Sequence, residues 1–332
     1  MASFKKAVNA WRVQIAIKGV RESASFSTKA EAVAWAAERE TQIRRDISEG
    51  INTKKTVGDA FDRYGKEVSI HKKKPKWEQV RLATLGEELI GKVKLRDFNI
   101  TAVTADTLGK WRDKRINVDK VAGSTVNRDL SLLSHVFSTA RREWKWISSS
   151  PTTDVRRPKN PAPRDRLISE DEIDRITLAS GFCEEVAKQK KQQVGIAFLF
   201  AIETAMRAGE ICGLKPGDIN GNVAKLHDTK NGKRRDVPLS SRAVELLGYL
   251  PTPEEGKTLF DLTSSTLDAN FRKMKTAADI DGLNFHDTRH EAITRLAKKL
   301  NVLELARMVG HTDLKMLQIY YNETAAEIAK KL

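Results

Sequence analysis

Cysteine is nearly absent: Cys183 and Cys212 are the only two in 332 residues. They form no CxxC pair and no metal-ligand spacing, which argues against a disulfide framework and a thiolate zinc site. Both read as reduced core residues. No stretch approaches the roughly 18 consecutive apolar residues of a membrane helix. The opening MASFKKAVNAWR has no apolar run of a secretory leader. Acidic residues are in deficit, with 44 Asp and Glu against 59 Lys and Arg and a net charge of +15. That imbalance suits a polyanionic partner. With membrane insertion set aside, the expected partner is nucleic acid and the expected location cytoplasmic, at the nucleoid. Internal repeats, low-complexity tails and clustered carboxylates able to hold two metals are also missing.

What is present divides at a proline-rich stretch. Residues 148–166 (SSSPTTDVRRPKNPAPRDR) hold four prolines and no periodicity, the composition of a linker. Before it, WRVQIAI (11–17) alternates apolar and polar positions as a half-buried strand does, and VRESASF (20–26) reads as one or two returning strands. Thr28 and Glu31 form a capping box that opens a helix. Thr56 is expected to cap a helix carrying Val57, Ala60, Phe61 and Tyr64. The clearest helix spans 124–146, with Leu130, Leu133, Phe137, Ala140 and Trp144 stepping by three and four and Ser124 as its cap. HKKKPKW (71–77) reads as a basic loop. After the linker, Ser169 and Glu172 form another capping box, 194–206 is an apolar helix, and Asn231-Gly232 is a hairpin turn. Residues 241–332 read as helices, the last eleven amphipathic and suited to packing on a neighbouring copy.

Five segments of the second lobe concentrate unusual chemistry: ETAMRAGEICGL (203–214), TKNGKRRDVPL (229–239), HDTRHEA (286–292), MVGHTDL (308–314) and QIYYN (318–322). Cleaving a phosphodiester without metal requires fixed cations for the non-bridging oxygens, and a guanidinium does this best. It also requires an in-line nucleophile and a proton donor for the leaving oxygen. A tyrosine can attack if cationic neighbours stabilise its phenolate. Arg207, Lys230, His286, Arg289, His311 and Tyr320 meet each requirement.

This set resembles the tyrosine recombinase family, comprising lambda-type phage integrases and Xer-like recombinases. Arg207 sits in TAMRAGEI, Lys230 precedes the Asn-Gly turn, His286-Asp-Thr-Arg289 matches His-x-x-Arg, Gly310-His311 matches Gly-His, and Tyr320 follows His311 by nine residues. Each motif alone is weak; the five in order are highly specific. ETAMRAGEI, TKNG, RDVPLS and HDTRHEA are also similar to shufflon-type recombinases, which invert DNA segments. One departure stands at the end, where the family often has Tyr-x-His and this chain has Tyr320-Tyr321-Asn322. The spacing favours Tyr320 as nucleophile.

The resemblance implies a mainly α fold with small β-sheets, an α+β multidomain architecture. It places an arm-type DNA-binding module at 1–50, a helical core-site DNA-binding domain at 53–150, a linker at 151–166 and a catalytic domain at 167–332. It implies that Arg207, Arg289 and His311 contact the phosphate, that Lys230 protonates the leaving 5′-oxygen, with Lys233 as its rival, and that His286 transfers a proton or touches phosphate. Glu210 would orient an arginine. His286 and His290 stand at i and i+4, a spacing that can bind zinc, but Arg289 between them opposes it, and His290 reads as structural. No cofactor and no metal are implied. The implied partners are double-stranded DNA at core and arm sites, three further copies in a tetramer, and DNA-bending accessory proteins. The expected role is integration or excision of a phage or genomic island. Alternatives are shufflon-type inversion, type IB topoisomerase-like relaxation, and a DNA-binding regulator that no longer cuts.

Overall fold

The structure, a computed structural model, describes residues 2–7, 10–48, 50–51, 54–162, 164–227, 234–321 and 329. The chain forms two compact units, Met1–Pro163 and Arg164–Leu332. No described helix is long and apolar enough to cross a membrane.

The first unit opens with an antiparallel sheet of β1 (Ala2–Ala7), β2 (Ala10–Ile17) and β3 (Val20–Phe26), in that order. Val13 and Ile15 of β2 and Val20 of β3 are buried against Ala32, Ala36 and Ile43 of α1 (Lys29–Ser48). Alternation in β2 is what turns these residues to one face. The expected capping box is present: the Thr28 N–H donates to Glu31 Oε2 at 3.1 Å, and the Glu31 N–H donates to Thr28 Oγ1 at 3.2 Å.

A separate helical core follows, built from α2 (Val57–Glu67), α3 (Pro75–Gly86), a small ribbon of β4 (Leu89–Ile90) and β5 (Val93–Lys94), α4 (Ala105–Asn117) and α5 (Gly123–Arg142). Thr56 caps α2 as expected. Tyr64, Trp111, Leu133 and Phe137 fill the interior. Within the basic run, Lys72 turns onto Glu78 at 2.8 Å and the Tyr64 hydroxyl at 2.9 Å. Helix α5 differs from expectation: it starts at Gly123 with Ala122 as N-cap, so Ser124 lies inside it and caps nothing. The reason is close packing. A Cβ on Gly123 would stand 2.5 Å from the Lys159 carbonyl oxygen, so only glycine fits. The proline-rich stretch is accordingly tied down in its first half, where Arg157 donates to the Asn127 carbonyl at 3.0 Å and Asn127 to the Pro158 carbonyl at 2.8 Å.

The second unit is organised around α7 (Lys190–Thr204), which is buried over most of its surface. Packed with it are α6 (Glu170–Ser180), α8 (Ala208–Gly213), α9 (Ser241–Gly248), α10 (Ser264–Ala277) and α11 (Asp287–Ala297). Ser169 caps α6 with Glu172, as expected. A three-stranded antiparallel sheet, β6 (Ile219–Asn220), β7 (Val223–Leu226) and β8 (Arg235–Pro238), pairs Leu226 with Arg235 across the segment that holds Asn231-Gly232. That turn and Lys230 lie outside the described residues, as does the amphipathic end of the chain apart from residue 329. Helix α12 (Val302–Val309) packs on α11 and β8 and ends at Gly310. Beyond Gly310 the chain makes two 3-10 turns, Leu314–Met316 and Gln318–Tyr320, rather than the α-helix the sequence suggested. The Asp313 side chain accepts from the Lys315 N–H at 3.0 Å, stabilising a turn in place of a helical start.

Candidate active site

The site forms where the C-terminal end of α7, the start of α8, strand β8, helix α11 and the end of α12 converge. Helix α7 ends on Ala205, a fully buried residue held at φ +54°. This left-handed conformation is strained for any residue with a Cβ. It directs the Ala205 carbonyl at the Arg289 guanidinium, which donates to it through Nη1 and to the Val309 carbonyl through Nη2 at 2.6 Å. Arg289 is 4% exposed, and burial followed by the charge of Arg207 lowers its pKa to about 9. It remains a cation at neutral pH.

Arg207 emerges two residues after Ala205 as the N-cap of α8. Its N–H and Nη1 each donate to Glu210 at 2.9 Å. Glu210 is buried and also accepts two bonds from Arg235, at 3.0 and 2.7 Å. Burial alone would raise the Glu210 carboxyl; Arg235 and Arg207 outweigh it and hold the group below its ordinary range. Arg235 is fixed further by donation to the Met308 carbonyl at 3.1 Å. Its guanidinium passes so near Gly310 that a Cβ there would lie 2.9 Å from Nη1, and Gly310 itself sits at φ +70°. Glycine is therefore required by both space and backbone, and the turn it makes delivers His311.

His311 feels burial first, then Arg289, Arg207 and Arg235, and its pKa falls to about 4. It is neutral at physiological pH. Its Nδ1 is buried without a hydrogen-bond partner among the described residues. Tyr320 is half-buried on the second 3-10 turn, and its hydroxyl lies 2.6 Å from Nδ1 of His290. Burial raises the Tyr320 pKa, partly opposed by the nearby Arg289 charge. Tyr321 points elsewhere, its hydroxyl donating to the Leu300 carbonyl at 2.7 Å.

Of the residues selected from sequence, Arg207, Arg289 and His311 are thus brought within mutual electrostatic reach, and Tyr320 within reach of Arg289. His286 is exposed at the N-cap of α11, one turn before His290. Lys230 cannot be placed, being outside the described residues. Among those residues no three His, Cys, Asp or Glu side chains gather as a metal-binding group. Two members of the cluster escaped sequence reasoning. Arg235 was one of several cations beside the turn, with nothing in its spacing to single it out. His290 had a usable signal, its position directly after Arg289. The cluster carries three guanidinium groups against one carboxylate. That surplus suits a ligand with two or more anionic oxygens, as a phosphodiester in its transition state has.

Comparisons with known proteins agree with this chemistry. The phage integrase family matches residues 166–327. A protein of Haemophilus influenzae assigned as an integrase/recombinase is 37% identical, the alignment covering 98% of this chain and 89% of the relative. The shufflon-specific DNA recombinase of Escherichia coli is 35% identical over 84% of this chain and 72% of its own. In fold, the chain is similar to lambda integrase in a dimer bound to a core site, with a TM-score of 0.66, 18% identity, and coverage of 96% of this chain and 94% of that one. A lambda integrase tetramer on a Holliday junction gives a TM-score of 0.64 at 18% identity, covering 93% and 95%. The α+β multidomain architecture expected from sequence is therefore shown. From its full-length relatives and its arginine, histidine and tyrosine motifs, the chain belongs to the phage integrase family and is a tyrosine-type site-specific recombinase.

Proposed function

We propose that this recombinase cuts and rejoins double-stranded DNA by two transesterifications through a 3′-phosphotyrosyl link at Tyr320. The observation that carries the reading is Tyr320 within electrostatic reach of Arg289, which is itself clustered with Arg207 and Arg235. The tyrosine oxygen bonds to phosphorus as the bond to the 5′-oxygen breaks, and the freed 5′-oxygen takes a proton. A 5′-hydroxyl of a partner duplex then attacks the phosphotyrosyl link, and the tyrosine oxygen leaves. Phosphoester bonds are exchanged one for one, so the scheme needs no nucleotide cofactor.

In this scheme Arg289 and Arg207 meet the non-bridging oxygens. Neutral His311 donates a hydrogen bond to one of them. Lys230 serves the leaving 5′-oxygen and His286 contacts phosphate, both assigned by family resemblance. Residues 1–50 serve as the arm-binding module, 53–150 as the core-site domain, 151–166 as the linker and 167–332 as the catalytic domain. On α5, Ser131, Ser134, His135, Ser138 and Arg142 line an open polar hollow with Arg157, chemistry suited to a phosphate backbone. By analogy with the lambda integrase tetramer, four copies act on two duplexes.

The biological event we favour is integration or excision of a phage or genomic island, because the chain carries a sheet-and-helix module before its helical domain. Inversion is the second reading, favoured by the likeness to the shufflon recombinase. The test is incubation in EDTA with nicked duplexes tiling the DNA that flanks the protein's own gene. SDS-resistant protein–DNA complexes with a free 5′-hydroxyl are expected. Binding without such complexes would favour a regulator that no longer cuts, and relaxation of any plasmid would favour a topoisomerase. Sequencing the joints formed between two sites separates inversion from excision.

A further inference from the structure

A phenol with a pKa near 10 is almost entirely protonated at neutral pH, and burial of Tyr320 moves it further from phenolate. Attack on phosphorus therefore requires a group that takes the proton. Arginine cannot serve, having donors and no acceptor. Glu210 lies within the cluster, but its two carboxylate oxygens already accept from Arg207 and Arg235. Helix α11, which buries Arg289, presents His290 on the next residue, and there Nδ1 lies 2.6 Å from the Tyr320 hydroxyl oxygen. The two rings approach to 5.2 Å between centroids.

We propose that His290 is the general base for Tyr320, a role that rests on Tyr320 being the nucleophile. A neutral imidazole accepts at one ring nitrogen while the other carries its hydrogen, and the separation is within reach for direct proton transfer. In the forward step the phenolic proton passes to Nδ1, the O–P bond forms, and the P–O5′ bond breaks with its electron pair going to the 5′-oxygen. That oxygen is protonated by a separate acid, the role assigned to Lys230. In the return step a 5′-hydroxyl gives its proton to that acid's conjugate base and attacks phosphorus. The tyrosine oxygen leaves and recovers its proton from the His290 imidazolium. In an in-line exchange the base serves the entering oxygen and the acid the leaving one.

The experiment uses the full chain and the nicked duplex on which it forms most adduct. Two versions of that duplex are compared, one with the natural 5′-oxygen and one with a bridging 5′-sulfur, a leaving group that needs no proton. Adduct formation is timed for wild type, His290→Ala and His290→Asn. His290→Ala is expected to be about 10²–10³-fold slower on both duplexes, with unchanged DNA binding and partial recovery in added imidazole. His290→Asn, which keeps a hydrogen-bonding group but cannot take a proton at neutral pH, is expected to remain as slow; it also carries the test if the alanine variant fails to fold. A His290→Ala rate within about threefold of wild type, a deficit that vanishes with the sulfur leaving group, or full activity in His290→Asn would each overturn the role while leaving Tyr320 as nucleophile. Absence of a wild-type adduct on bound DNA would overturn the tyrosine reading itself, and the role with it.

Discussion

Arg289 of the second unit is handled differently from the part-buried arginines of the first. In the first, three part-buried arginines meet carboxylates: Arg81 binds the buried Asp129, Arg39 binds Glu22 at 2.6 Å, and Arg115 binds Glu88 at 2.9 Å and Asp119 at 3.2 Å. Asp129 holds the Arg81 pKa above its ordinary value. In the second, Arg289 donates to backbone carbonyls and its pKa falls, while Glu210 is divided between Arg207 and Arg235. Neutralised pairs fix a fold; they leave little field for a ligand. An uncompensated cluster costs stability and keeps its field for whatever anion enters.

The sharpest way to break this comparison is a pair of substitutions. Arg289→Ala should slow adduct formation by about 10²–10³-fold or more, while lowering the melting temperature less than Arg81→Ala does. Arg81→Ala leaves Asp129 buried without its partner and should cost about 3 kcal/mol of stability, with cleavage of bound DNA little changed below the melting point. Thermal melts beside single-turnover cleavage read both, and an exchange of the two phenotypes would refute the distinction.

Glu210→Gln lies between these extremes, since Glu210 serves both fold and site. We expect a cost of about 2 kcal/mol near neutral pH, as two guanidinium groups lose their shared anion, together with slower cleavage. The Glu210 carboxyl is depressed in the folded protein, so its stabilisation is present above the unfolded value of 4.5 and is lost as pH falls through the lower folded value. Urea midpoints below pH 4.5 should therefore depend less on pH in Glu210→Gln than in wild type.

The smallest effect belongs to His311. With its pKa lowered from 6.5 to about 4, the unfolded chain binds a proton that the folded chain refuses between those values. Stability contributed by the neutral ring is thus present above 6.5 and declines as pH falls toward 4. His311→Gln should flatten that decline by at most one proton, as measured by melting temperature against pH; an unchanged slope would contradict the burial of His311 among the arginines.

Much of the site was legible because its chemistry is written in spacings that survive without knowledge of the fold. Arg207, Arg289, Gly310-His311 and Tyr320 could be selected in order, and Glu210 could be assigned an orienting role one turn after Arg207. Arg235 could not, because its value comes from β8 packing beside α12, a contact between residues 73 apart in sequence at Met308. His290 looked structural because periodicity cannot reveal that a 3-10 turn thirty residues later returns a hydroxyl to it. Strand β1 was missed for a related reason: its residues are mostly exposed, so the sheet owes it to backbone pairing with β2 rather than to an apolar pattern. Capping boxes at Thr28 and Ser169, and the cap at Thr56, were readable because the partners lie within one turn. Ser124 misled because Gly123 packs on Lys159, a constraint invisible locally.

Mapping the residue that carries the nucleotide tests the central claim most directly. Adducts trapped on nicked duplexes would be digested and the modified peptide sequenced by mass spectrometry, with Tyr320→Phe and Tyr321→Phe run in parallel. The account predicts a nucleotide on Tyr320, its loss in Tyr320→Phe, and its persistence in Tyr321→Phe, whose hydroxyl is turned to the Leu300 carbonyl. A nucleotide on Tyr321, or an adduct that survives Tyr320→Phe, would contradict it.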